Sequence, residues 1–118
     1  MADPDASDIR GRLSSALGDA MRARDSNAVS ALRSALSAIA NAEAVPAQTG
    51  RTLKPKIGIG VGDVARRHLS AAELSRIVEE EIAELSRGAA DYERLGRAEE
   101  AGALRAQAEI LVRLLRGS

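Results

Sequence analysis

Aromatic residues are almost absent from this chain of 118 residues. It has no Phe and no Trp, and Tyr92 is its only tyrosine. β-Sheet sandwiches need aromatic and β-branched side chains for their cores, whereas small aliphatic side chains let helices pack closely. Apolar residues still make up 45% of the sequence. We therefore expect one all-α domain over residues 1–118, with a core of Leu, Ile, Val and Ala.

Cysteine is also absent, and His68 is the only histidine. A metal site needs three or four such ligands, so the sequence predicts no metal centre and no disulfide. No run of 18 apolar residues is present to span a membrane, and the acidic start at residues 1–8 differs from a secretory signal. These features favour a cytoplasmic location.

The longest amphipathic segment runs from Ser70 to Leu95. Ser70 and Glu73 predict a reciprocal capping box at its start, and Gly96 predicts a left-handed residue at its end. Its apolar residues recur at the three- and four-residue spacing that lines one face of an α-helix, namely Leu74, Ile77, Val78, Ile82, Leu85, Ala89, Tyr92 and Leu95. We expect the rest of the chain to cover this stripe.

Three further segments have helical spacing. After a flexible start at 1–8, the first helix has an apolar face of Ile9, Leu13, Ala16, Leu17, Ala20 and Met21. Asp25, Ser26 and Asn27 then predict a break. The second helix presents Val29, Leu32, Leu36, Ile39 and Ala40. The last helix, with Glu99 and Glu100 in its first turn, presents Ala101, Leu104, Ala108, Ile110, Leu111, Val112, Leu114 and Leu115.

Short breaks within 9–43 and within 70–115 predict two antiparallel helical hairpins that form a four-helix bundle. A long crossover at 44–69, containing Gly and Pro, joins them. This crossover contains one acidic residue, Asp63. It contains five basic residues, Arg51, Lys54, Lys56, Arg66 and Arg67. Contact with phosphates requires positive charge but does not require aromatic side chains. These five basic residues are therefore the candidate nucleic-acid contacts.

No catalytic or cofactor-binding constellation is predicted. The GxGxxA pattern from Gly60 to Ala65 lacks the βαβ unit that a dinucleotide fingerprint requires. Glu79, Glu80 and Glu81 are consecutive on a helix and point about 100° apart, so they cannot converge on one substrate. We interpret these three glutamates as a solvated helix face.

Several short motifs occur in the order found in a known family. In the first hairpin they are Ala20-Met21-Arg22-Ala23-Arg24-Asp25, Leu32-Arg33-Ser34-Ala35-Leu36-Ser37-Ala38-Ile39 and Asn41-Ala42-Glu43. In the second they are Leu69-Ser70 with Glu73, Glu81-Ile82, Tyr92-Glu93, Leu95-Gly96-Arg97 and Glu109-Ile110-Leu111. In combination they resemble the GatB/YqeY family over most of residues 9–115.

The resemblance implies an all-helical domain like the tail of the GatB component of the glutamine-dependent amidotransferase, which acts on mischarged Asp-tRNA or Glu-tRNA. It implies tRNA or that complex as partner, and carbon–nitrogen ligase activity with glutamine as amide donor that belongs to other domains. The alternative is a helical protein-interaction or self-associating module without a nucleic-acid role, which uses the apolar face of the last helix around Ile110, Leu111, Leu114 and Leu115.

Overall fold

The computed structural model describes residues 6–44 and 69–117, which form four α-helices and no strand. These are α1 (Ala6–Ala23), α2 (Ser26–Glu43), α3 (Ala71–Arg94) and α4 (Ala98–Arg116). The predicted all-α fold with four helices is therefore confirmed. The pairing into two antiparallel hairpins stays a prediction, and residues 45–68 of the predicted crossover lie outside the described residues.

One hydrophobic core joins the helices, because each helix contacts the other three and α3 contacts α4 most extensively. The largest fully enclosed side chains were all predicted on apolar faces, namely Leu13, Leu32, Leu74, Val78 and Leu111. Burying an aliphatic side chain of this size contributes about 1.5–3 kcal/mol. Leu69, just before α3, is also buried in this core.

The buried face of α2 is rotated from the predicted one. Val29 and Leu36 are only half-buried, and Ala40 is exposed. The buried residues are instead Ala28, Ala31, Leu32, Ala35 and Ile39. Alanine has no bulk beyond Cβ, so this face lets the neighbouring helices approach α2 closely.

Two large apolar residues predicted on buried faces are exposed. Met21 is 50% exposed in the last turn of α1, and Leu95 is 69% exposed as the residue that caps α3. At Leu95 the backbone leaves the helix, so the helical period no longer determines which way its side chain points. For these two positions the predicted burial is wrong.

The predicted helix signals around α3 are confirmed. The Ser70 hydroxyl accepts a hydrogen bond from the Glu73 amide at 3.1 Å, and the Glu73 carboxylate accepts one from the Ser70 amide at 2.9 Å. Gly96 follows the helix with a left-handed φ of 78°. Within the described ranges, no helix has the length and apolar character needed to cross a lipid bilayer.

Replacing Ser70 by Ala should lower the free energy of unfolding by about 1 kcal/mol, because the Glu73 amide loses its capping acceptor. Chemical denaturation measures the change. Ser86→Ala, at an exposed site in the middle of α3, is the matched control and should be neutral or slightly stabilising. Equal losses in the two variants would contradict the capping role.

Two glycines should respond to alanine with opposite signs. A methyl group added at Gly102 meets no atom within 4 Å, so Gly102→Ala should raise the free energy of unfolding by about 0.5–1 kcal/mol. Gly96 has a left-handed backbone, so Gly96→Ala should lower it by about 1 kcal/mol. Thermal unfolding of both variants checks the signs, and a gain at Gly96 would contradict the conformation found there.

Candidate functional site

The turn between α1 and α2 contains Arg24 and Asp25, two residues of the family motifs. The Arg24 amide donates to the Met21 carbonyl at 3.2 Å and the Asp25 amide to the Ala20 carbonyl at 3.0 Å, which is the pattern of a Schellman motif. Arg24 has a left-handed φ of 59°, a conformation that costs residues with a Cβ about 1–2 kcal/mol. Asp25 caps α2 by accepting from the Ala28 amide at 3.2 Å. Both residues therefore shape this turn.

The turn between α3 and α4 repeats the pattern around Gly96. The Gly96 amide donates to the Glu93 carbonyl at 3.0 Å and the Arg97 amide to the Tyr92 carbonyl at 2.8 Å. The Arg97 guanidinium lies 5.5 Å from the centroid of the Tyr92 ring and donates to Glu100 at 2.8 Å. This hydrogen bond holds the pKa of Glu100 below its ordinary value. The aromatic ring and the cation of this turn are thus engaged with each other.

Three further motif residues also have structural roles. Leu32 is fully buried in the core. Glu43, the last residue of α2, accepts a hydrogen bond from Arg10 of α1. Glu109 accepts one from Arg113 in the next turn of α4 at 3.3 Å.

Two further motif residues, Arg33 and Asn41, line a polar groove of about 510 Å³ between α2 and α3. Glu81 contributes from α3, and the other lining residues have small side chains, namely Ser30, Ser34, Ser37 and Ala38. We call this surface the α2–α3 groove. Its hydroxyl, amide, guanidinium and carboxylate groups are suited to hydrogen-bonding a polar partner.

The α2–α3 groove holds two charges of opposite sign that lack counterparts. Among the described residues neither Arg33 on α2 nor Glu81 on α3 forms an ion pair, although both line the groove. Burial raises the pKa of Glu81, and repulsion by Glu84 and Glu80 raises it further. The ionised carboxylate is therefore less stable here than it would be in water.

Glu81 is the functional candidate that the sequence interpretation missed. Glu79 and Glu80 are exposed, as expected for a solvated face, but Glu81 is half-buried. A signal for this was present, since Glu81 follows Ile77 by four residues and Val78 by three and so lies beside the apolar stripe. Of the three glutamates only Glu81 lines the groove, which agrees with the prediction that they point in different directions.

Most arginines of the described helices are engaged by carboxylates. The described residues contain twelve arginines, no lysine and fourteen Asp or Glu. Eight of the arginines form ion pairs, namely Arg10, Arg12, Arg22, Arg87, Arg94, Arg97, Arg105 and Arg113. The four without an ion pair in the described ranges are spread over the chain, at Arg24, Arg33, Arg76 and Arg116.

A second groove, of about 540 Å³, lies between α1 and α4. Arg12 crosses it, donating to the Leu114 carbonyl at 2.6 Å and to the Asp8 carboxylate at 3.0 Å. A cation on the last turn of α4 offsets the partial negative charge at that end of the helix. Arg12 therefore joins α1 to α4 across this groove.

The predicted nucleic-acid contacts all lie outside the described residues, at Arg51, Lys54, Lys56, Arg66 and Arg67. His68 and the Gly60–Ala65 pattern do so as well. The apolar face proposed for self-association is largely covered, because Leu111 and Leu114 are buried while Ile110 and Leu115 pack partly against the core.

Within residues 6–44 and 69–117, no group of three or more His, Asp or Glu is placed to hold a metal ion. Comparison of the chain with protein-family models, with curated proteins and with solved structures gives no match. The GatB/YqeY resemblance therefore stays a prediction.

At a concentration where the protein is monomeric, replacing Glu81 by Gln should stabilise it at neutral pH by a few tenths of a kcal/mol, since it removes a desolvated charge and its repulsion by Glu84. A raised folded-state pKa means that the folded protein binds this proton more tightly than the unfolded chain does. The destabilisation caused by the ionised Glu81 carboxylate is complete above the folded-state pKa. It disappears as the pH falls below the pKa of the unfolded chain, about 4.3.

The gain in free energy of unfolding from Glu81→Gln should therefore become smaller as the pH falls. Denaturant titrations between pH 7 and pH 4 will measure this gain. Glu79→Gln, on the exposed face of the same helix, is the control for loss of one charge. An identical gain for both variants at every pH would show that the groove environment has no part in the effect.

Proposed function

We propose that this chain is a non-catalytic accessory module that binds tRNA or joins a tRNA-dependent amidotransferase complex. The motifs that resemble the GatB/YqeY family support this proposal. In such a complex, carbon–nitrogen ligase chemistry with glutamine as amide donor belongs to other components. This chain would contribute binding surface.

In this proposal the helices form two antiparallel hairpins, α1 with α2 and α3 with α4. The ion pair between Arg10, near the start of α1, and Glu43, at the end of α2, supports the first hairpin. The ion pair between Arg105 of α4 and Glu93 of α3, at 2.8 Å, supports the second. With the end of α4 held at the start of α1, the crossover at 44–69 would begin and end at one end of the bundle.

The observation that carries the proposal is the distribution of positive charge along the sequence. The described residues include more acids than arginines, and eight of their twelve arginines already have carboxylate partners. The predicted crossover instead has five basic residues and one acid. The surplus cations that a polyanion requires are therefore concentrated between Arg51 and Arg67.

Binding of this kind would read phosphate positions rather than bases. Sequence-specific readers of RNA stack unpaired bases on aromatic side chains. The only aromatic residue of this chain is Tyr92, and its ring already faces Arg97. We therefore expect affinity that depends steeply on salt and little on tRNA identity.

Replacing Lys54 and Lys56 together by Glu should weaken binding to bulk bacterial tRNA. The logarithmic salt slope should flatten by about two phosphate contacts, because each lysine neutralises one phosphate. Fluorescence anisotropy across a salt titration measures both quantities, and light scattering on the same samples gives the mass.

The matched control is Arg87→Glu with Arg94→Glu, which changes the net charge equally at two exposed and paired arginines of α3. This variant should keep the salt slope close to that of the wild type. Unchanged affinity and slope in the lysine variant would remove the crossover from the proposal. A wild-type protein that fails to bind tRNA even at low salt, but associates with itself, would favour the alternative interaction module.

A further inference from the structure

The α2–α3 groove brings together, from two different helices, two opposite charges that form no ion pair among the described residues. Elsewhere on the described helices the acidic and basic side chains mostly pair with each other, often three or four residues apart on one helix. In this groove Arg33 on one wall and Glu81 on the other have no ion pair among the described residues. A partner that presents one anionic and one cationic group would pair both of these charges.

We propose that the α2–α3 groove is the interface of a two-fold symmetric homodimer, in which Arg33 pairs with Glu81 of the partner subunit. A two-fold interface places each patch against a copy of itself. The axis exchanges the two walls, so the cation of one copy faces the anion of the other and both pairs form together. The patch is thus complementary in charge to a copy of itself.

The shape of the groove fits a second helix. The α2 side of the groove has exposed Ser30, Ser34 and Ser37. Interaxial distances between packed helices depend on the side chains at the contact and are shortest where these are small. The hydroxyl groups and the amide of Asn41 supply hydrogen bonds across a close contact that remains partly polar.

The electrostatics of the groove favour a second copy over a polyanion. Glu80 and Glu84 lie near Glu81 on the same helix and raise its pKa by repulsion, so the carboxylates on this side of the groove would repel a phosphate chain. A second copy instead brings a guanidinium to this cluster. The net charge of the chain is zero, so no long-range repulsion opposes self-association.

Two charge reversals and their mixture test the proposal. The wild type should show a concentration-dependent dimer in sedimentation velocity. Arg33→Glu or Glu81→Arg alone should raise the dimer dissociation constant about tenfold or more, because each places like charges opposite each other. An equimolar mixture of the two variants should restore the dimer. In the mixed dimer, position 33 of each subunit faces position 81 of the other, and both contacts join opposite charges.

Matched controls keep the charge change and move it outside the groove. Arg76→Glu and Glu79→Arg alter residues of α3 that do not line it, and both variants should dimerise as the wild type does. Ser34→Trp fills the groove without changing charge and should abolish the dimer. Circular dichroism verifies that each variant is folded.

A wild type that stays monomeric up to millimolar concentration would overturn the proposal, as would single reversals that dimerise normally. A mixture that fails to recover the dimer, or controls that lose it, would also overturn it. The measurement uses no RNA, so its outcome is independent of the proposed tRNA role.

Discussion

The fold depends on closing a hydrophobic core with very little aromatic volume. Aliphatic side chains such as Leu13, Leu32, Leu74 and Leu111 fill the centre, but they cannot span wide gaps between helices. The helices must therefore approach one another closely, and alanine at the contacts makes this possible. The buried alanines are Ala20, Ala28, Ala31, Ala35, Ala89, Ala101 and Ala108. Dense packing of small side chains supplies the contacts that a few large rings would otherwise provide.

The close packing of the helices has a consequence for the charges. Arginines that flank the contacts extend across them to carboxylates or to a helix end, as Arg10 does with Glu43 and Arg12 with the Leu114 carbonyl. Ion pairs at the protein surface contribute at most about 1 kcal/mol each. They do neutralise the helical surface, however, and so leave the described helices with little attraction for a polyanion. In the proposed function the positive charge is therefore supplied by a segment outside the four helices.

Features set by neighbouring residues could be predicted from the sequence, whereas features set by the packing could not. The capping box of Ser70 and the left-handed Gly96 follow from a few adjacent residues, and both were predicted. The rotation of α2 depends on which helix approaches it, and alanine gives too weak a hydrophobic signal to reveal that. The environment of Glu81 arises because α2 passes beside it. Its place next to the apolar stripe hints at partial burial, but the identity of the covering helix is decided only in the folded protein.

The α2–α3 groove also departs from what helix stability alone would select. Exposed positions of α2 hold Ser30, Ser34 and Ser37, and serine is less favourable in a helix than alanine, glutamate or lysine by up to about 0.5 kcal/mol. Long charged residues at these sites would stabilise α2 and add ion pairs like those found on α3 and α4. They would also hold a second helix away from the groove and give Arg33 a counterion of its own. Residues that lower the stability of a helix beside two unpaired charges are expected where a surface binds a partner.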